Sequence, residues 1–73
     1  MIDSDLPVPL YEQLAGILRD MIASGKLTGR VPSVRTLSQE YGVSTRTAER
    51  ALGTLRDEGV LVVLLGKGFY VAR

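Results

Sequence analysis

The sequence predicts a mainly α-helical domain of three helices that ends in a small β-hairpin. Three observations lead to this fold class. Residues 10–22 carry apolar side chains at helical spacing, and residues 32–55 form two short amphipathic segments separated by Gly42. Residues 60–65 are a continuous apolar run rich in valine, which is too short for a helix and suits a strand. This order of elements is typical of a winged helix-turn-helix, in which the hairpin is the wing.

Length and composition limit the classes of protein to which the chain can belong. Its 73 residues suffice for one domain, and 45% of them are apolar, which is enough to build a core. The chain contains no cysteine and no histidine, so disulfides and the usual zinc sites are excluded. No apolar run reaches the roughly 18 residues of a membrane span. We therefore expect a cytoplasmic protein without a cofactor, and no recognisable carboxylate pair suggests an enzyme.

The charge of the chain is unevenly distributed. Although the net charge is only +1, residues 1–24 are acidic, whereas residues 25–73 carry twice as many Lys and Arg as Asp and Glu. A modest basic surface on this larger part is sufficient for contacts to phosphates, although it does not demand them.

The first helix follows a short N-terminal arm. We expect residues 1–8 to form an extended arm, because prolines favour extended backbone, and residues 9–73 to form the domain. Pro9 suits the first turn of a helix, where its missing N–H costs nothing. Gly25 ends the apolar stripe, which consists of Leu10, Leu14, Ile17, Leu18, Met21 and Ile22. This helix is expected to be the scaffold for the helices that follow, and surface contacts are the alternative role for Tyr11 and Arg19.

The next two helices are predicted from their caps. Ser33 and Ser44 each stand where a hydroxyl can accept a hydrogen bond from the first turn of a helix. Gly42 falls where a left-handed residue ends the first of these helices, and Val43 follows as a buried contact. The outward side of the second helix then carries Arg46, Glu49, Arg50, Gly53 and Asp57.

The strands are predicted from a change of period after Gly59. The apolar run Val60–Leu65 is followed by the turn residues 66–68 and by a return strand at Phe69–Val71. Arg30-Val31, before the second helix, is expected to add one or two residues of edge strand. These elements complete the predicted winged helix-turn-helix, with Lys67 at the tip of its wing.

A polar helix start followed by outward-facing arginines points to a nucleic-acid partner. In a helix-turn-helix the second helix, here about residues 44–58, enters the major groove of DNA by its N-terminal end. The alternative is a plain core hairpin with a solvated charged face. The pattern favours binding to double-stranded DNA.

Several short motifs occur in a fixed order along nearly the whole chain. They are PLYEQL at Pro9–Leu14, SGKL at Ser24–Leu27, PSVRTLS at Pro32–Ser38, YGVS at Tyr41–Ser44, RAL at Arg50–Leu52, L-x-x-E-G at Leu55–Gly59 and GKGFYV at Gly66–Val71. By these motifs the chain resembles the DNA-binding domain of GntR-family bacterial transcription regulators. Each motif is weak alone, but their order and spacing together are highly specific. The resemblance implies a winged helix that regulates transcription, here expected to be a repressor.

The resemblance also implies which residues touch DNA. In the family these belong to the P-S-x-R motif, the start of the recognition helix and the Gly-x-Gly wing, and the matching residues are Arg35, Ser44, Thr47, Gly66, Lys67 and Gly68. The chain departs from the family at Thr45 and Glu49, where arginine is common, and carries arginine one residue later, at Arg46 and Arg50. This shift turns each guanidinium by about 100° around the helix, so the family's base-reading pattern does not transfer.

The candidate contacts divide into two classes. The candidates for reading base edges are Thr45, Arg46, Glu49 and Arg50. Arginine can donate two hydrogen bonds to guanine, threonine can pack on a thymine methyl, and glutamate can accept from cytosine N4. The candidates for phosphate contacts are Arg35, Ser44, Thr47 and Lys67. Helix capping alone is the alternative role for Ser44, and an ion pair with Glu40 or Asp57 is the alternative for Arg35.

The wing is expected to make a contact of its own. Because side chains alternate between the two faces of a strand, six consecutive apolar residues cannot all face one small core. Leu61 is expected to pack on the helices, whereas a set drawn from Val62, Leu64 and Phe69 must face outward. We expect wings to pair in a homodimer that binds a near-palindromic operator. The alternatives are a partner protein and a longer, inward-facing core strand.

A protein-binding winged helix with little or no DNA affinity is the alternative function. Glu49 on the recognition face, the net charge of +1 and the apolar wing favour it. Members of the family usually continue into a C-terminal domain that binds a small effector, whereas these 73 residues end at the wing. We therefore expect no effector-binding domain and no small-molecule effector within this chain. We also expect no membrane contact and an association with the nucleoid.

Overall fold

The computed structural model describes residues 2–72 and contains the predicted elements in the predicted order. The elements are the helices α1 (Leu10–Ala23), α2 (Val34–Tyr41) and α3 (Thr45–Asp57) and the strands β1 (Leu61–Leu64) and β2 (Gly68–Val71). The mainly α-helical fold class with a C-terminal hairpin is confirmed. Met1, the first residue of the predicted arm, and Arg73, the last residue of the predicted domain, lie outside the described residues. Within residues 2–72 no helix is long and apolar enough to cross a membrane.

The junction between α2 and α3 forms as its local sequence predicts. The hydroxyls of Ser33 and Ser44 each accept a hydrogen bond from the backbone N–H three residues later, at 3.2 and 3.0 Å. Gly42 ends α2 in the left-handed conformation, with φ of 65°. Val43 is buried behind it, and the Ser38 hydroxyl donates to the Val43 carbonyl across the turn. These contacts fix the direction in which α3 leaves the turn.

One apolar core joins all three helices to the hairpin. Its buried residues are Leu14, Ala15, Leu18, Val31, Leu37, Val43, Ala48, Ala51, Leu52, Leu55 and Leu61. Full burial of a leucine contributes about 1.5–3 kcal/mol, so these leucines dominate the stability of the domain. Ala48 and Ala51 are fully buried on α3. Their small size lets the neighbouring helices approach α3 closely.

The helices α1 and α3 run side by side in the same direction. Near the start of α1, Tyr11 lies against Arg50, and two turns later Arg19 reaches Glu58 at the end of α3. The Arg19 guanidinium donates to both carboxylate oxygens of Glu58, at 3.0 and 2.7 Å. The hydrogen bond to Glu58 raises the pKa of Arg19. A raised pKa means that the charged form of Arg19 stabilises the fold, and this stabilisation is lost only when the pH rises through the pKa. Because that pKa is very high, the ion pair adds no pH dependence to the stability near neutral pH.

The hairpin is attached to the rest of the domain through β2. The antiparallel partners are Leu61 and Val71, Val62 and Tyr70, Val63 and Phe69, and Leu64 and Gly68. On its other side β2 forms a bridge between Tyr70 and Arg30, where the sequence predicted a short edge strand. The Val31 N–H donates to the Phe69 carbonyl at 2.9 Å, and the Val71 N–H donates to the Gly29 carbonyl at 2.8 Å. Consequently β2 is central and β1 is the edge strand.

The two faces of the hairpin differ from the prediction at one residue. Leu61 is buried, as expected, whereas Val62 and Leu64 remain 43% and 44% exposed. Phe69, which was expected to face outward with them, is half-buried and packs against the core. The register explains this correction, because Phe69 pairs with Val63 and therefore lies on the same face as Leu61.

The N-terminal arm is folded back on α1, and the prediction of an extended arm is therefore wrong for the described residues 2–8. The side chain of Gln13 accepts from the Asp3 N–H at 2.7 Å and donates to the carbonyls of Asp3 and Val8. The Asp3 carboxylate accepts from the Asp5 N–H at 2.9 Å, which closes a tight turn. Ile2 packs against the core. One glutamine side chain therefore satisfies backbone groups that an extended arm would leave to water.

Candidate nucleic-acid interface

The outward side of α3 forms the floor of an open groove on the surface. The lining residues are Tyr11, Arg46, Glu49, Arg50, Gly53, Thr54, Arg56 and Asp57. All five residues that the sequence placed on this side are among them. Packing of the opposite side against α1 and α2 buries the apolar stripe of α3 and leaves this polar face to solvent.

The N-terminal end of α3 presents hydroxyl groups in a fixed arrangement. The Ser44 hydroxyl accepts from the Thr47 N–H and also lies 3.0 Å from the Thr47 hydroxyl oxygen, to which it can donate. Capping therefore occupies Ser44, while the proton of the Thr47 hydroxyl stays available for an outside acceptor. Thr45, the first residue of α3, is exposed beside them. Thr47 is therefore better placed than Ser44 to contact a phosphate.

Arg46 and Glu49 are exposed side chains on the same groove. Within the described part of the chain neither takes part in an ion pair, since the two ion pairs found there are Arg19–Glu58 and Arg56–Asp57. Both groups are therefore hydrated and open to a partner in this state. A carboxylate at the centre of this face lowers its affinity for a polyanion and can accept a hydrogen bond from a base.

Arg50 differs from Arg46 because it rests on an aromatic ring. Its guanidinium carbon lies 4.0 Å from the centroid of the Tyr11 ring, which is cation–π geometry. The sequence favoured a scaffold role for Tyr11 over a surface contact, and it did not reveal this pairing with Arg50. The motif PLYEQL was the available signal, but only the packing of α1 against α3 shows that its tyrosine borders the groove.

Arg35 is exposed near the start of α2. Its alternative role as the ion-pair partner of Glu40 or Asp57 is not observed, and Asp57 instead lies 3.4 Å from Arg56. Among residues 2–72 the guanidinium of Arg35 has no carboxylate partner. It is therefore available to a phosphate.

A second basic residue, Arg30, lies against the turn that carries Lys67. The Lys67 N–H donates to the Leu64 carbonyl at 2.9 Å, and Gly66 and Gly68, with φ of 76° and 102°, allow the tight turn. The Arg30 guanidinium lies over Gly68, at 3.9 Å from the position that a Cβ atom would occupy if residue 68 had a side chain. Sequence reasoning missed Arg30 as a wing residue, because its position depends on the bridge to Tyr70.

The sequence matches a known family of proteins over almost its whole length. Residues 10–71 match the family described as bacterial regulatory proteins, gntR family. The chain belongs to the gntR family. The match includes every helix and strand of the structure and every candidate DNA contact, so the resemblance inferred from the motifs is confirmed.

Individual gntR-family proteins are similar over nearly the whole chain. The HTH-type transcriptional repressor NagR of Bacillus subtilis is 34% identical over 99% of this chain, and the histidine utilization repressor of Klebsiella aerogenes is 41% identical over 90%. The chain spans 30% and 28% of the length of these two relatives. The structure of AraR(DBD) in complex with operator ORX1 superposes with a TM-score of 0.88 and 30% identity, covering 99% of this chain and 93% of that chain.

These relationships confirm the winged helix-turn-helix architecture of the gntR DNA-binding domain. They place this domain in a family of bacterial transcription regulators. They also favour DNA binding over the protein-binding adaptor, because the structural similarity extends to a domain bound to its operator.

Proposed function

We propose that this gntR-family domain binds a specific double-stranded operator and represses transcription. The N-terminal end of α3 enters the major groove, and the wing residues 66–68 lie near the minor groove. The observation that carries this proposal is the solvated face of α3, which lies at the start of a capped helix and carries Arg46 without an ion-pair partner among the described residues. Repression is supported by the names of the relatives NagR and histidine utilization repressor. A protein of this function associates with the nucleoid in the cytoplasm.

The contacts are divided between base edges and phosphates. Thr45, Arg46 and Glu49 read bases from the start of α3, since they are exposed there and the two charged side chains have no ion-pair partner among residues 2–72. Arg35, Thr47 and Lys67 contact phosphates and fix the register of the domain on the duplex. Arg30 adds a second positive charge at the wing, where its guanidinium lies against Gly68. A narrow minor groove concentrates negative potential that attracts such side chains.

Selection from a pool of random duplexes tests this function directly. The site that is recovered, called the selected site below, and the unselected pool are then titrated by fluorescence anisotropy at several salt concentrations. We expect binding to both, tighter to the selected site, with the affinity falling as salt rises because counterions are released from the phosphates. Absence of enrichment together with salt-independent or undetectable binding would contradict the proposal.

The homodimer forms through the outer edge of β1. The backbone N–H and C=O groups of Phe69 and Val71 point toward the segment Gly29–Val31. Their partners on β1, Val63 and Leu61, therefore point their backbone groups the other way, toward the open edge of the sheet. That edge carries the exposed side chains Val62 and Leu64. An unpaired apolar edge of this kind is a template for pairing with another strand. Pairing about a two-fold axis presents two copies of α3 to half-sites about 10 base pairs apart, or a multiple of that.

Leu64→Lys should dissociate this dimer without unfolding the domain. Leu64 lies on the outer face, so a charge there opposes pairing while the core stays intact. Leu65→Lys is the matched control, because Leu65 is 95% exposed at the turn and lies outside β1. Light scattering measures the mass, and circular dichroism measures the fold. A wild-type protein that remains monomeric at hundreds of micromolar would end the dimer proposal.

Glu49→Gln should tighten binding to the random pool. The carboxylate stands on the DNA-facing side without a cationic partner among residues 2–72, so its removal relieves repulsion from phosphates. Asp20→Asn makes the same charge change at an exposed position of α1 outside the groove and should alter binding less. Both affinities are measured at low salt. Weaker binding of Glu49→Gln to random DNA would indicate that this face does not meet the duplex.

A further inference from the structure

The two outward arginines of α3 are held differently. Arg46 and Arg50 are one turn apart and both are exposed, and both line the groove and a neighbouring hollow that Tyr11 also borders. A ring lies under only one of them in the described structure, since the guanidinium of Arg50 stands 4.0 Å from the centroid of Tyr11. Tyr11 belongs to α1, so Arg50 leans from α3 toward the neighbouring helix.

The ring that supports Arg50 is itself fixed. Tyr11 is half-buried and packs against the core, and the next turn of α1 places Leu14 and Ala15 in that core. At the far end of the same helix pair, Arg19 and Glu58 hold the register of α1 against α3. Packing against the core therefore restricts the Tyr11 ring. An exposed arginine on such a platform loses less side-chain freedom when it binds a ligand.

Stacking leaves the hydrogen-bonding edge of the guanidinium free. The guanidinium carbon stands over the ring, at 4.0 Å from its centroid. A guanidinium that lies flat on a ring at this distance directs its N–H donors outward in its own plane, which suits two parallel bonds to a phosphate. In a helix-turn-helix the recognition helix lies in the major groove and the elements beside it meet the backbone. Arg50, leaning toward α1, lies on the backbone side of α3.

We propose that Tyr11 is a positioning residue that holds Arg50 on a backbone phosphate and away from base edges. This inference rests on the proposed function and revises the base-reading role that the sequence suggested for Arg50. Arg46 is then the arginine of α3 that reads a base. Tyr11 contributes to DNA affinity through Arg50, and its contribution is independent of sequence.

The positioning step can be tested without DNA. Ring currents shift the resonances of protons above an aromatic face, so the Arg50 side-chain Nε–H and Cδ protons should move upfield in the NMR spectrum of the free wild type. Tyr11→Phe keeps a ring and should preserve the shift, whereas Tyr11→Leu should abolish it. Random-coil positions for these protons in the wild type would overturn the inference whatever the DNA results.

A double-mutant cycle tests the consequence for binding. The wild type, Tyr11→Leu, Arg50→Ala and the double variant are titrated with the random pool and with the selected site. Tyr11→Leu should weaken both by the same factor, about two- to fivefold, and should add nothing in the Arg50→Ala background. Arg50→Ala should lower the salt slope by about one unit on both duplexes. Tyr11→Phe should restore binding.

Controls separate this inference from the fold and from the proposed function. Tyr41→Leu removes another half-buried tyrosine, whose hydroxyl lies 3.9 Å from Met21 Sδ, and should leave the salt slope unchanged. If Tyr11→Leu does not fold, Arg50→Ala alone tests whether Arg50 contacts a phosphate. A loss of affinity that is confined to the selected site, with binding to the random pool unchanged, would overturn that role. Additive losses in the cycle also overturn it while leaving DNA binding intact. A wild type without salt-dependent binding instead refutes the proposed function.

Discussion

Replacing Arg46 by alanine should weaken binding to the selected site by about 1–3 kcal/mol, the value of one good bidentate contact to a base. Arg46 is exposed near the start of α3 and has no carboxylate partner within residues 2–72, so its donors are free to pair with guanine. The preference for one base pair of the site should relax as well. Anisotropy titrations with the selected site and with variants at each position measure both effects.

Lys67→Ala is the control that distinguishes the loss of a phosphate contact from the loss of a base contact at Arg46. Lys67 stands at the wing tip, and we expect it to contact phosphate, so its removal should weaken binding to all sequences and lower the salt slope by about one unit. The two variants should therefore differ in sequence preference as well as in affinity. If Arg46→Ala changed neither the affinity nor the preference, α3 would be wrongly assigned as the recognition helix.

Leu52→Ala should cost about 2–5 kcal/mol of unfolding free energy, because Leu52 has no exposed surface and a cavity is left in its place. Domains are stable by only about 5–15 kcal/mol, and one of this size is near the lower end, so the variant should retain at most about half of its stability. Leu65→Ala, at a residue that is 95% exposed, should change stability by less than about 0.5 kcal/mol. Urea denaturation followed by circular dichroism measures both. Equal effects would contradict the described core.

Features that depend on neighbouring residues could be predicted from the sequence. The caps at Ser33 and Ser44 and the left-handed Gly42 involve contacts over a few residues, and all three formed as expected. The outward side of α3 also followed from its helical period, since a buried stripe determines its opposite face.

Features that depend on how distant segments pack could not be predicted. The stacking of Arg50 on Tyr11 requires the packing of α1 against α3, which no local pattern encodes. Phe69 was placed on the wrong face because strand register was not known, and its pairing with Val63 turns it toward the core. The arm folds back because Gln13, a polar residue within α1, reaches the backbone at Asp3 and Val8.

If DNA meets the start of α3 and the wing, the backbone amides of these residues should shift on binding, and NMR chemical-shift mapping measures this. A uniformly ¹⁵N-labelled protein is titrated with the selected site, and the shifts of the backbone amides are followed. We expect the largest changes at residues 44–50 and 66–68, with small changes in the C-terminal half of α1. Changes confined to the outer edge of β1, with the amides of α3 unmoved, would contradict it.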